Sequence, residues 1–162
     1  MDNVLTITRR FAAPRGLVWK AWSEAERLGL WWGPKGCVIG VNRFEFRPGG
    51  FFHFAMHFPG QDQMWGRFMY REIAAPERLV WLNSFSNAGC GITRAPFGGE
   101  IPLEIHNEVT LTDGGGKTLL TLKAHPFGAS DDEEEVFRNM FASLNQGWGG
   151  TLDQLEAYLG SL

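Results

Sequence analysis

The spacing of apolar residues changes near Pro126, after the last predicted strand, and that change limits the possible folds more than any other feature. Before it, apolar and polar side chains alternate, most clearly over residues 51–58. Alternation is typical of strands with one buried face. After it, apolar residues recur at every third or fourth position, which is the spacing of one helical face. We therefore expect a sheet followed by a long helix that buries its apolar face against the sheet.

Turn sequences separate the predicted strands and indicate antiparallel pairing. The clearest turns are Pro48-Gly49-Gly50 and Asp113-Gly114-Gly115-Gly116, and short turns of this kind join antiparallel neighbours. Residues 86–102 form a longer Gly-rich connection, which we expect to be the most mobile part of the chain. The strands are predicted at residues 4–11, 37–47, 51–58, 64–73, 79–85, 103–112 and 117–125.

The C-terminal helix begins with a recognisable cap. Ser130 followed by Glu133 fits a capping box, and the acidic run over residues 131–135 suits the positive end of a helix dipole. A continuous apolar stripe then predicts one long helix, and its members are Phe137, Met140, Phe141, Leu144, Trp148, Leu152, Leu155 and Leu159.

An aromatic-rich segment, residues 11–34, lies between the first and second predicted strands. Large aromatic side chains are placed mostly where they can be buried. The segment is therefore predicted to be a pair of short helices folded over an apolar groove, ending at Gly33-Pro34. We expect Trp31 and Trp32 to close the open end of that groove, facing Trp148 on the last helix.

Composition and charge exclude several classes of protein. The 162 residues fit one domain, and a hydrophobic content of 44% argues against intrinsic disorder. The net charge is −3 and the basic residues do not cluster, which argues against nucleic-acid binding. The sequence has no apolar run long enough for a membrane span and no signal-peptide pattern, so we expect a cytoplasmic protein. Cys37 and Cys90 do not make a disulfide framework.

Short motifs in a fixed order extend over residues 4–160. They are Phe11-x-Ala13-Pro14 with Val18-Trp19; Trp32-x-Pro34; Gly49-Gly50 with Phe52-x-Phe54-x-Met56; Gly66 with Glu72-Ile73; Pro76-Glu77-Arg78-Leu79-Val80; and Gly147-Trp148 with Leu152 and Leu155. In this order the chain resembles the START/Bet v 1-like (SRPBCC) superfamily. Within it, the chain is similar to the activator of Hsp90 ATPase homologue 1-like family.

The resemblance implies a single domain over residues 1–162 with an α+β helix-grip fold. In that fold a curved antiparallel sheet of six or seven strands surrounds a long C-terminal helix, and two short helices follow the first strand. The resemblance also implies a cavity between the sheet and the long helix. Members of the superfamily are ligand-binding proteins, lipid carriers, polyketide cyclase-like enzymes, stress proteins and co-chaperone modules.

The function that we predict is binding of a small hydrophobic or aromatic molecule in this cavity, without catalysis and without a cofactor. Apolar walls would supply affinity. Asn83 and Asn107 interrupt apolar strand faces, and an inward polar group needs a neighbour, a buried water or a ligand as its partner. The residues predicted to line the cavity are Trp32, Phe54, Met56, Phe68, Trp81, Asn83, Phe85, Asn107, Phe141, Leu144 and Trp148.

The histidines and cysteines do not assemble into a recognisable reactive site in the sequence. His53 and His57 share one strand face, but two imidazoles hold a metal only with a further ligand. Because their face alternates against a row of phenylalanines, we expect both to point to solvent. Cys90 lies in the long loop, and the sequence contains no G-x-S-x-G nucleophile motif. We predict neither a metal site nor a catalytic residue.

Two alternatives remain open. One is a polyketide cyclase-like or hydrolase-like enzyme with His106 or Glu108 as its base. This alternative requires these side chains to point into the cavity. Alternation places them instead on the solvated face. The other is a protein-interaction module of the Hsp90-activator kind. The co-chaperone itself carries a further N-terminal domain, and these residues contain no counterpart, so we expect a small-molecule partner rather than a chaperone. The sequence also leaves a homodimer open.

Overall fold

The structure, a computed structural model, describes residues 3–96 and 98–162 and contains eight strands and four helices there. The strands are β1 Leu5–Phe11, β2 Val38–Phe44, β3 Phe51–His57, β4 Met64–Ala74, β5 Arg78–Ser86, β6 Ile92–Thr93, β7 Glu104–Asp113 and β8 Thr118–Phe127. The helices are α1 Arg15–Ser23, α2 Ala25–Trp31, α3 Asp131–Asn139 and α4 Phe141–Gly160. Within these described ranges, no helix is both long and apolar enough to cross a membrane.

All strand pairs are antiparallel, and the sheet runs in the order β1-β8-β7-β5-β4-β3-β2, with the short β6 beside β5. Tight turns make most sequence neighbours into sheet neighbours. At the β7–β8 turn, for example, the Gly114 N–H donates to the Lys117 carbonyl at 2.9 Å. The first strand instead pairs with the last, β8. The predicted helix-grip fold is confirmed, although β6 lies in a segment that we expected to be loop.

The inner face of the sheet, which carries Phe52, Phe54, Phe68 and Trp81, holds the main hydrophobic core. Phe68 is central, because its ring centroid lies 4.8 Å from those of both Trp32 and Trp81 and 5.1 Å from that of Phe52. Burial of one such side chain contributes about 1.5–3 kcal/mol. Most aromatic side chains of the protein therefore pack in this core, and only part of the inner face is left to line a cavity.

The C-terminal apolar stripe belongs to two helices rather than to the single helix that we predicted. The chain breaks at Met140, with φ −94° and ψ 0°, between α3 and α4. The capping box at the start of α3 is as predicted: the Glu133 N–H donates to Ser130 Oγ, and the Ser130 N–H donates to Glu133 Oε1. The break carries no glycine or proline, and the apolar spacing continues across it, so the sequence contained no signal for it.

His53 is buried, with 1% of its surface exposed, which corrects the expectation that it points to solvent. It lies on the outer face of the sheet, where Asn42 Nδ2 is 2.9 Å from its Nδ1 and the Asn87 carbonyl is 3.0 Å from its Nε2. Its ring also stacks on Trp65 at 4.7 Å. Asn42 occupies a bulge in the adjacent strand β2 and Asn87 begins the loop after β5, so a neighbouring strand and a more distant loop cover this face.

Candidate functional site

A cavity of about 320 Å³ lies between the inner face of the sheet, the first half of α4 and the connection from α2 to β2. Phe54, Met56 and Gly66 form a buried wall, whereas Pro34, Leu103 and other residues at the rim are exposed. The cavity therefore reaches the surface. Its lining residues are Trp32, Gly33, Pro34, Phe54, Met56, Gly66, Asn83, Ser84, Phe85, Ile101, Pro102, Leu103, Ile105, Phe137, Met140, Ser143, Leu144, Gly147, Trp148 and Thr151.

The structure divides the predicted lining residues into two groups. Seven lie in the cavity wall: Trp32, Phe54, Met56, Asn83, Phe85, Leu144 and Trp148. The other four lie outside it: Phe68, Trp81, Asn107 and Phe141. For these four the expectation of a lining position is corrected, and the reason differs from residue to residue.

Phe68 and Trp81 do face inward, but side chains of the entry segment cover them. Trp22 of α1 lies 5.6 Å from Trp81, and Trp32 lies 4.8 Å from Phe68, between ring centroids. Both Phe68 and Trp81 are completely buried as a result. They support the cavity from beneath.

Asn107 and Phe141 are engaged elsewhere in the protein. Asn107, with 2% of its surface exposed, pairs in register with Trp81 and donates from Nδ2 to the Ile105 carbonyl at 3.3 Å. The internal hydrogen bond that the sequence left open is therefore present. Phe141 packs edge-to-face on Phe137, with centroids 5.5 Å apart, in a smaller cluster with Leu5.

Several lining residues were missed in the sequence analysis. Phe137, Met140, Gly147 and Thr151 share the helical face of Leu144 and Trp148, so extending the i, i+3, i+4 pattern in both directions would have found them. The segment over residues 101–103 and Gly66 gave no such signal. Residues 101–103 reach the cavity only because the chain folds back over it from a distant part of the sequence. Gly66 lines the cavity because it has no side chain.

Asn83 is the notable polar side chain in the wall. It lies on β5 between Trp81 and Phe85, with Phe68 opposite it on β4. It is half-buried, and within the described chain its amide has no hydrogen-bond partner. The amide carries two N–H donors and a carbonyl acceptor, so it can hold a polar group placed in the cavity.

The Thr151 hydroxyl, by contrast, already has hydrogen-bond partners within the protein. Its hydroxyl donates to the Gly33 carbonyl at 3.1 Å and also lies 3.2 Å from the Gly147 carbonyl. Ser84 alternates with Asn83 along β5 and stands opposite Arg67, so its side chain belongs to the outer face. Asn83 is therefore better placed than Thr151 or Ser84 to contact a ligand.

The described residues that line the cavity carry no titratable side chain. None of the described residues that line it is an aspartate, glutamate, histidine, lysine, arginine, cysteine or tyrosine. His106, the candidate base, lies on the outer face, where it stacks on His125 at 4.6 Å. Burial, reinforced by the charge of His125, lowers the pKa of His106. Glu108, the other candidate, forms an ion pair with Arg78 at 2.6 Å.

A family model described as Activator of Hsp90 ATPase homolog 1-like protein matches residues 12–160. The chain belongs to this family. The motifs quoted above had indicated it, together with the START/Bet v 1-like superfamily. No curated protein matches the sequence.

Solved structures with the same fold come from several organisms. A protein from Arthrobacter aurescens is 22% identical with a TM-score of 0.82, and the match covers 100% of this chain and 90% of that one. Ms6760 from Mycobacterium smegmatis is 22% identical with a TM-score of 0.77, covering 98% and 91%. CalU16 from Micromonospora echinospora is 22% identical with a TM-score of 0.60, covering 96% and 75%. At these identities the likeness is one of fold.

In this member of the Activator of Hsp90 ATPase homolog 1-like family, the entry segment closes one end of the cavity through Trp32. Its ring lies 5.4 Å from that of Trp148, so these two tryptophans face each other as predicted. Trp31 does not line the cavity, which corrects that part of the expectation. It is buried among the helices, and its Nε1–H donates to the Ala21 carbonyl at 3.0 Å.

Gln154 ties the same segment to α4. Its Nε2 donates to the Trp31 carbonyl at 2.9 Å and to the Gly33 carbonyl at 2.7 Å. Gly33 adopts φ +101°, a conformation that glycine tolerates best, and so turns its carbonyl toward α4. The end of the cavity is therefore held by hydrogen bonds as well as by aromatic packing.

Proposed function

We propose that this protein binds a small hydrophobic or aromatic molecule in the cavity and does not transform it. The observation that carries the proposal is the Asn83 amide, which has no hydrogen-bond partner among the described residues and lies in an otherwise largely apolar wall. Small-molecule sites typically combine apolar walls with a few polar groups that fix orientation. Asn83 is suited to that orienting role.

The aromatic wall supports an apolar ligand. Trp32, Phe54, Phe85 and Trp148 contribute rings, and Met56 adds an adaptable side chain. Aromatic side chains bury large areas and favour edge-to-face or offset contacts with other rings. A ligand with an aromatic face would be stabilised both by the burial of its apolar surface and by contacts with these rings.

The lining chemistry also favours binding over catalysis. General acid–base catalysis needs a titratable group within hydrogen-bond reach of the substrate, and the described lining residues supply none. The two candidate bases, His106 and Glu108, are committed to contacts on the opposite face of the sheet. Neither His106 nor Glu108 is therefore available as the base of a cyclase-like or hydrolase-like reaction in this cavity.

The first test is native mass spectrometry of the protein purified from its own cells. We expect a co-purifying small molecule that denaturation releases. A clean apo mass, together with no thermal shift across a panel of neutral aromatic compounds, would overturn the proposal.

The second test changes Asn83 itself. We expect Asn83→Leu to weaken binding of a hydroxylated aromatic probe, 2-naphthol, by about tenfold, because one hydrogen bond contributes about 1 kcal/mol or somewhat more. Isothermal titration calorimetry measures the change. Asn145→Leu, at an exposed position of α4, is the matched control and should leave the affinity unchanged. Equal losses in both variants would contradict a specific role for Asn83.

A further inference from the structure

We infer that the ligand is an uncharged aromatic compound of about two fused rings that carries a hydroxyl or carbonyl group. This rests on the proposed function and deepens it, because it specifies the charge, size and polarity of the molecule. Each property follows from a different feature of the cavity wall.

The charge of the ligand follows from the lack of a counter-ion. The described lining residues include no cationic or anionic side chain. Burying an ion without a partner costs several kcal/mol even after the surroundings relax. The Asn83 amide is neutral, so it can hydrogen-bond a carboxylate but cannot balance its charge. An aromatic acid that places its carboxylate against Asn83, inside the exposed rim, is therefore disfavoured relative to its neutral analogue.

The size of the ligand follows from the cavity volume and the rigidity of its walls. An apolar cavity of about 150 Å³ holds benzene, and this one has about twice that volume, about 320 Å³. The wall beneath Trp32 and Phe54 is packed, since Phe68 and Phe52 are completely buried behind them. Expansion in that direction would require core side chains to move, which close-packed interiors resist.

The polar group follows from Asn83. Its amide offers a donor and an acceptor at one place in the wall. A hydroxyl can accept from the amide N–H or donate to its carbonyl, and a ligand carbonyl can accept from the N–H. A hydrocarbon would leave the amide without a partner while excluding water from it, which costs about 1–3 kcal/mol.

The decisive experiment compares ligands that share one ring system but differ in charge. The unmodified protein is titrated at pH 7 by calorimetry with 2-naphthol, 2-naphthoate and 2-naphthylmethylammonium. We expect 2-naphthol to bind on the order of 100-fold more tightly than either ion. If 2-naphthoate bound as tightly as 2-naphthol, the inference would be overturned and the proposed function would stand.

A second series varies the size at constant charge. The probes are 2-naphthol, 9-phenanthrol and 1-hydroxypyrene, with two, three and four fused rings. We expect affinity to fall by at least about tenfold at the four-ring member, because the packed wall cannot give way and the larger ring system would have to shift toward the open rim, away from Asn83. Equal or tighter binding of 1-hydroxypyrene would overturn the size limit. If none of the neutral probes in either series bound, the proposed function would fail, and the inference with it.

Asn83→Asp gives a reciprocal check with the same probes. A carboxylate at this position supplies the counter-ion that the native wall lacks. We expect the variant to bind 2-naphthylmethylammonium more tightly than the native protein does and to bind 2-naphthoate more weakly still. Unchanged preferences would mean that residue 83 does not face the bound ligand, which would overturn its assigned role.

Discussion

Gly66 shows how one residue sets the shape of the cavity. A Cβ atom at this position would lie 2.7 Å from Phe54 Cζ and 2.8 Å from Cε2, closer than such atoms approach in proteins. The Phe54 ring can rest against the strand only because Gly66 has no side chain. The ring is thereby kept out of the space that a ligand would occupy.

We predict that Gly66→Ala pushes the Phe54 ring into the cavity. The free energy of unfolding should fall by about 1–3 kcal/mol through overpacking, and affinity for 2-naphthol should fall as well. Urea denaturation and calorimetry measure the two effects. Gly147→Ala is the control, because Gly147 also lines the cavity but a Cβ there meets nothing within 4 Å. That variant should be as stable as the native protein or more so. Normal affinity in Gly66→Ala would contradict this account.

His106 gives the protein a pH dependence that is separate from the cavity. Its pKa is lowered below the ordinary value, first by burial and then by the neighbouring His125. The unfolded chain therefore binds this proton more readily than the folded protein does. Stability is full above the unfolded pKa, near 6.5, and should decrease as pH falls through and below that value.

We predict a smaller loss of stability between pH 7.5 and pH 5 in His106→Gln than in the native protein. Urea denaturation across this pH range measures the slope. His57→Gln, at an exposed position of β3, should keep the native slope. If the two variants had the same slope, burial of His106 would not be its source.

At the scale of secondary structure, the capping box anchors α3. Ser130 Oγ accepts from the Glu133 N–H at 3.2 Å, and Glu133 Oε1 accepts from the Ser130 N–H at 2.9 Å. Both bonds satisfy N–H groups that a helix leaves unpaired at its start. We predict that Ser130→Ala lowers the free energy of unfolding by about 1 kcal/mol. Thermal unfolding tests this, with Ser143→Ala at an exposed position of α4 as the control that should not be destabilised.

The second half of α4 and the end of α2 are joined by Gln154. Its Nε2 donates to the carbonyls of Trp31 and Gly33. We predict that Gln154→Ala lowers stability by about 1–3 kcal/mol, since it leaves those carbonyls with fewer partners. It should also speed amide hydrogen exchange around Trp32. Gln146→Ala, exposed on the same helix, should change neither quantity. Unchanged exchange in Gln154→Ala would show that aromatic packing alone holds this segment.

At the scale of the whole molecule, the cavity wall joins parts of the chain that are distant in sequence. Strands β3, β4, β5 and β7 contribute to it, as do helices α3 and α4 and the α2–β2 connection. A ligand that binds only the folded protein stabilises all of them together. We predict a gain of about 2.7 kcal/mol with 2-naphthol at 100 times its dissociation constant. The melting temperature at increasing probe concentration measures it, and a gain limited to one segment in hydrogen exchange would contradict it.

Local patterns were enough to predict the strands and the C-terminal helical region, whereas the family resemblance implied the helix-grip arrangement. Alternation predicted seven strands close to their observed bounds, and the Ser130–Glu133 pair predicted the start of α3. These signals are carried by neighbouring residues, because strand pleating and helix capping depend on backbone geometry within a few positions. The ordered motifs over the whole chain then indicated the family, and the match over residues 12–160 established it.

What the tertiary structure alone decided is which faces are covered and which inward positions stay open. His53 lies on a face that alternation assigns to solvent, yet Asn42 on the neighbouring strand and Asn87, 34 residues along the chain, bury it. Trp81 and Asn83 have the same inward periodicity, but Trp22 covers the first and leaves the second in the cavity wall. Periodicity reports the direction in which a side chain points. The presence of a packing partner depends on long-range contacts, and no local spacing in the sequence encodes them.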